Sequence, residues 1–288
     1  MSVQLVPDVR HDWLDELPLP VGSPHLRLGL RSLPRDRWLP TDSFTRAELR
    51  QRARLLDEHD DLVMLDAGWE HAVDELLSVM EIHLGRRIER GPWRSLEAAA
   101  RAVPDDLLLM ANTGDGWRLV AGALVFPNKW RLADKMGGTL QEIHSPVDGY
   151  DELLAERVDR FFDRLTPDRV VWRRNWFFHD DPTFFLPDRR PPERFNEPER
   201  ARALYVRSEW QTLRRLAFSG VIVFTVKTQI APIVELAARP GLARRMIEFL
   251  EAASPRSLAN KEAHGRHQAI VEYLTLALPE PALAVPDL

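Results

Sequence analysis

Residues 107–127 read LLLMANTGDGWRLVAGALVFP, and this stretch decides the fold class. Two apolar runs flank Thr113-Gly114-Asp115-Gly116, a segment whose residue types suit a tight reversal, so the stretch predicts a β-hairpin. Upstream the pattern is helical. Trp69, Val73, Leu76, Leu77, Met80 and Leu84 recur at three- and four-residue spacing, and SLEAAARAV (95–103) is a short helix stopped by Pro104. Helical periodicity therefore ends where the hairpin begins.

Downstream, RVVWRRNWFFH (169–179), ALYVRSEWQTL (203–213) and GVIVFTVKT (220–228) are rich in β-branched and aromatic residues and predict three further strands. Between the hairpin and these strands, DELLAERVDRFFDRL (151–165) places Leu154, Val158, Phe161, Phe162 and Leu165 on one helical stripe. Asp148 suits the cap of that helix, and Asp151 suits the positive end of its dipole. DDPTFFLPDRRPPERFNEPER (180–200) is a long proline-rich loop, and after Ile230 the chain returns to helix. The order predicts an α+β fold: one antiparallel sheet of about five strands, helices before, within and after it, covering one side. Residues 1–104 form an N-terminal arm and helices, 105–235 the sheet core and 236–288 a C-terminal helical segment, together one compact domain. The proline-rich residues 1–42 are expected to lie over its surface.

Composition narrows the function. The 288 residues include no cysteine, which excludes disulfides, thiolate metal sites, thiolate-held iron–sulfur clusters and covalent c-type haem. The first twenty residues lack a charged start followed by an apolar run, and runs such as VIVF fall far short of the ~18 apolar residues a span needs. A soluble cytoplasmic protein is expected. Net charge is −5, with acidic residues interspersed among the basic ones, which argues against nucleic acid as a partner. Almost all the basic residues are arginine; Lys129, Lys135, Lys227 and Lys261 are the exceptions. Nine tryptophans suit a core or pocket with large flat walls. The chain contains no GxGxxG, P-loop, GxSxG or HExxH motif.

Alternation along a strand exposes polar residues in unexpected places. Arg174 shares a face with Val170, Trp172, Trp176 and Phe178; it is either stacked at a sheet edge or aimed into a pocket to meet an anion. Tyr205, Arg207, Glu209 and Gln211 share one face of the next strand, so Arg207 and Glu209 either form a solvated surface pair or face a cavity together. Lys227, at a strand end, most simply reaches solvent. His144 precedes Ser145-Pro146, a stiff pair, and is either an ordinary loop histidine or a rigidly presented ligand. His71 and His83 are too far apart around one helix to share a metal, and His264 and His267 lack acidic partners nearby.

Four segments together, FPNKWRLADKMGGTLQEIHSPVDGY (126–150), VVWRRNWFF (170–178), YVRSEWQTLRRL (205–216) and GVIVFTVKTQIAPI (220–233), resemble the haem-dependent oxidative N-demethylase alpha-subunit-like family. The resemblance spans roughly residues 125–235. It departs from the family pattern at Asp148, where a second proline is usual, and at Lys227, where arginine is common. It implies a PAS-like sheet holding b-type haem, with His144 as the axial ligand to iron and His179 as the alternative. It further implies oxidation of a small amine by O2, with electrons from separate flavin and iron–sulfur reductase components and neither of those cofactors on this chain. In that reading Glu209 holds the amine or relays protons and Arg207 steers oxygen or balances Glu209. Arg174, Trp176 and Lys227 lie against the cofactor or substrate, Arg174 as the partner of a propionate. Two other classes compete with the haem mono-oxygenase: a haem-binding PAS-like sensor without turnover, and a cofactor-free interaction domain.

Overall fold

The computed structural model describes residues 11–20, 29–92, 94–144 and 152–279. Seven strands form one antiparallel sheet: β1 (Arg31–Leu33), β2 (Val63–Leu65), β3 (Asp106–Asn112), β4 (Trp117–Ala123), β5 (Val170–His179), β6 (Tyr205–Arg215) and β7 (Ile222–Pro232), in the spatial order β1-β5-β6-β7-β3-β4-β2. The helices are α1 (Thr45–Glu58), α2 (Glu70–Leu84), α3 (Ser95–Ala102), α4 (Leu140–His144), α5 (Glu152–Arg164), α6 (Pro198–Ala201), α7 (Ile233–Ala237), α8 (Pro240–Ala252), α9 (Pro255–Asn260) and α10 (His267–Leu276). The expected start of α5 at Asp148 to Asp151 lies outside the described residues.

The hairpin at 107–127 forms as expected. Gly114 and Gly116 take φ of 98° and 124°, and Thr113 N–H donates to the Gly116 carbonyl at 3.1 Å. The three long strands form a meander, with β6 paired along its whole length to β7. β7 then runs beside β3, which closes the hairpin onto the meander. The expectation of about five strands, and with it a five-stranded PAS-like sheet, is corrected by β1 and β2. Each has three residues at a sheet edge, too few to leave a period-two pattern.

Helices cover both faces rather than one. On the back face, Leu107, Leu109, Val170 and Val223 pack with Leu76, Leu77 and Met80 of α2 and with residues of α1 and α3. Farther along the same face, Trp176, Phe178, Val206 and Ala231 pack with Met246, Phe249, Ile270 and Leu274 of α8 and α10. On the front face, Leu108, Met110, Val171, Leu213 and Ile222 pack with Phe162 of α5, Leu165 and Leu132. Gly122 lets this last layer approach: a Cβ there would stand 2.7 Å from Leu132 Cδ1. The arm is not a surface wrapping, because Leu14 and Trp38 are fully buried and each sits in a back-face core. Among the described residues, no helix is long and apolar enough to cross a membrane.

Candidate functional site

The strand register sorts the candidate residues between faces. On the front, Arg173, Asn175, Phe177 and His179 of β5 stand opposite Gln211, Glu209, Arg207 and Tyr205 of β6, and Glu209 stands opposite Thr228 of β7. On the back lie Arg174 and Trp176 of β5 and Lys227 of β7. Glu209 and Arg207 therefore share a face, while Arg174, Trp176 and Lys227 face away from them. One planar ligand on either face cannot touch both sets.

Each back-face residue has partners of its own. Arg174 donates to Ser208 Oγ at 2.9 Å, Gln229 Oε1 at 2.7 Å and Glu16 Oε2 at 2.7 Å. Its guanidinium also lies over Trp210 at 5.2 Å and Trp13 at 5.7 Å, so it is stacked inside the fold and the anion it meets is the chain's own Glu16. Trp176 is fully buried against Phe249 and donates its indole N–H to the Pro18 carbonyl at 3.1 Å. Lys227 does not reach solvent: it is 1% exposed, with Nζ 2.7 Å from Asp42 Oδ2.

On the front, Arg207 is fully buried and donates to four backbone carbonyls, those of Phe126, Pro127, Thr183 and Phe184. It thus ties the segment after β4 and the segment after β5 to the centre of the sheet. Burial pulls its pKa down to about 10. Glu209 is half-buried; Gln211 Nε2 donates to its Oε2 at 2.8 Å and Asn128 Nδ2 reaches its Oε1 at 3.5 Å. Beside it, Lys261 Nζ donates to Asn175 Oδ1 at 2.9 Å, and burial pushes the ammonium down to about 8. Arg173 donates to Gln211 Oε1 at 2.6 Å.

His179 is 2% exposed, and burial, with Arg207, Lys129 and Arg266 nearby, pushes its pKa down to about 2. It is a neutral imidazole whose Nε2 has no hydrogen-bond partner among the described residues; Glu262 Oε1 stands 3.8 Å away. Glu262 is held instead by Lys129 Nζ at 2.5 Å, and both residues of that pair have positive φ, 55° and 63°. Three more buried front-side atoms have no partner among the described residues: Nε of Arg207, Oδ1 of Asn128 and Oγ1 of Thr228. His144 ends α4; its side chain and residues 145–151 lie outside the described residues.

Residues 84–271 match the family described as haem-dependent oxidative N-demethylase, alpha subunit-like. The chain belongs to this family. The match runs from the end of α2 into α10, farther at both ends than the sequence resemblance, and so includes all five long strands together with Lys261 and Glu262. Haem dependence is the family's named property, and the front face fits such a group in its chemistry. Phe177, Phe224 and Val226 give it half-buried apolar surface, Arg173 and Lys261 are cations suited to carboxylates, and four buried polar atoms lack partners among the described residues. Among the described residues, no cluster of three or more His, Asp or Glu is arranged to hold a bare metal ion.

Sequence reasoning missed Asn128, Arg173, Gln211, Thr228 and Lys261. Gln211 was placed on one strand face with Arg207 and Glu209 but not singled out. Lys261 comes from a helix connection forty-eight residues beyond Leu213, and only its rarity as a lysine marked it.

Proposed function

We propose that the chain binds one b-type haem against the front face and oxidises the N-alkyl carbon of a small amine, with electrons from separate flavin and iron–sulfur components. One observation carries this reading: within the family-matched region, a half-buried carboxylate, Glu209, stands among amide donors on a face with unpartnered buried polar atoms. The five long strands, in the order β5-β6-β7-β3-β4, support a PAS-like description of the sheet's centre.

The haem, when bound, supplies oxygen activation. This chain's residues do the rest. Gln211 and Asn128 fix the Glu209 carboxylate, whose Oε1 has only the long 3.5 Å contact to Asn128 and is placed to accept from an ammonium N–H. Arg173 and Lys261 hold the propionate carboxylates in place of Arg174, Trp176 and Lys227, which lie on the back. Arg207 is a positioning residue that fixes the loop carrying Asn128. The product is an aldehyde and the dealkylated amine.

His144 is the proposed axial ligand, on its place in the family motif. A second reading, His179, is favoured by its unpartnered Nε2 and neutral ring. A visible spectrum tests both. The wild-type chain expressed with adequate haem shows a Soret band, and His144→Ala abolishes or grossly shifts it. An unshifted band in that variant moves the ligand to His179, tested next with His179→Ala. No Soret band in the wild type overturns the haem reading, and haem bound without reductant-dependent amine consumption turns it into a sensor.

A further inference from the structure

At the end of the sheet where Tyr205 begins β6 and Pro232 ends β7 lies a cavity that is partly open to solvent. Its walls include the rings of Trp13, Phe44, Phe184 and Tyr205 and the carboxylates of Asp42 and Glu48. Glu48 is 5% exposed, and its Oε2 makes no hydrogen bond; Lys227 Nζ stands 3.5 Å away and is committed to Asp42 at 2.7 Å. The surrounding cluster is short of positive charge. Asp42, Glu48, Asp105 and Asp106 are set against Lys227 and Arg52, and Arg52 is spent on Asp106 at 2.8 Å. Burial pushes Glu48 and Asp105 each up to about 7, the expected response of carboxylates lacking a full counter-charge.

We propose that this cavity is a second ligand site, taking a small alkylammonium ion between the aromatic rings and the Glu48 carboxylate. The walls choose the class of cation. Calcium or magnesium needs six or more oxygen ligands, which two carboxylates among four rings do not offer. An alkylammonium gains from ring faces as well as from charge, and its methyl groups suit an apolar wall. The inference is independent of the haem reading: Glu209 does not line the cavity, and Trp13, Asp42, Phe44 and Glu48 precede the family-matched residues 84–271.

The test uses the full chain as purified, carrying Glu209→Gln to remove the front-face carboxylate. Tetramethylammonium and dimethylammonium are titrated by calorimetry and tryptophan fluorescence, beside potassium and neutral tert-butanol. Expected is saturable binding of both ammonium ions, with potassium and tert-butanol at least tenfold weaker. Adding Glu48→Gln weakens it at least tenfold, as does Asp42→Asn. The latter changes a partly exposed side chain, so it decides the matter if the Glu48 variant does not fold. Binding is weaker at pH 6 than at pH 8, because Glu48 must be ionised; the charged groups facing it are Lys227 from β7, Asp42 before α1 and Asp105 before β3, and His11, paired with Glu235, lines the same cavity. Absence of saturable binding, equal binding of potassium or tert-butanol, or full affinity in both variants overturns the proposal.

Discussion

At the scale of single residues, two carboxylates of opposite circumstance are informative. Glu209 is half-buried and held by amides, so its charge is available to a cation. Glu209→Gln keeps the size and removes the charge. It should leave the haem spectrum intact and lower kcat/KM for amine by roughly 10- to 150-fold, the worth of about 1.5–3 kcal/mol for a charge-assisted bond. Steady-state kinetics with a saturating reductase decide this; a wild-type rate would return Glu209 to a solvated role. Asp105 is fully buried with neither oxygen hydrogen-bonded, and burial raises its pKa from 3.8 to about 7. A raised folded-state value means its stabilising contribution is complete below about pH 4 and lost as the pH rises through about 7. Asp105→Asn should therefore lose less stability than wild type between pH 4 and pH 8, by at least ~1 kcal/mol. Urea unfolding at the two pH values measures it, and parallel losses in both proteins would contradict the burial argument.

At the scale of elements, Arg207 is the fastening of the site. It rises from β6 and holds carbonyls from the segments that follow β4 and β5, one carrying Asn128 and the other leading into the arginine-rich loop. Arg207→Met leaves those carbonyls without their donor in a buried setting, at a cost of roughly 3 kcal/mol or more. The expected result is a lower denaturation midpoint with an unchanged denaturant slope, and weaker haem retention. A loss below ~1 kcal/mol would mean that water replaces the guanidinium. Asp106 does similar work two strands over, on β3, accepting from the backbone N–H groups of Val125 and Phe126 while paired with Arg52 of α1. The position of the Asn128 loop is thus fixed from two sides.

At the scale of the whole molecule, the proposed chemistry needs reducing equivalents that this chain has no thiols to deliver through a cluster. The purified, haem-loaded chain should consume no amine with NADPH alone and form aldehyde once a reductase preparation is added. Sustained aldehyde without it would point to an unrecognised cofactor site. The exposed Arg189, Arg190 and Arg194 of the 180–197 segment are the proposed docking charges. Charge reversal at Arg189 and Arg190 should slow the coupled reaction at low ionic strength, with the difference shrinking as salt screens the contact. An identical salt profile in the variant would place docking elsewhere.

The long strands, the hairpin and the helix over 152–164 were legible because each repeats its period enough times to fix both type and face. Which residues share a face within β5, and which within β6, followed from alternation alone. Alternation could not say which strand faces were combined into one site, because the parity of a residue within β5 carries no information about its parity relative to β7 until the register is set. Hence Arg174, Trp176 and Lys227 were grouped with Glu209, although pairing places them on the opposite side. Composition held a signal that was read too weakly. None of the four lysines is exposed in a chain whose surface cations are arginines, and Lys227 and Lys261 each sit in a polar cluster. The three-residue edge strands, the burial of Arg207 and the unpartnered nitrogen of His179 had no local signature. Each depends on segments far apart in the chain meeting around one side chain, and only the tertiary structure decides that.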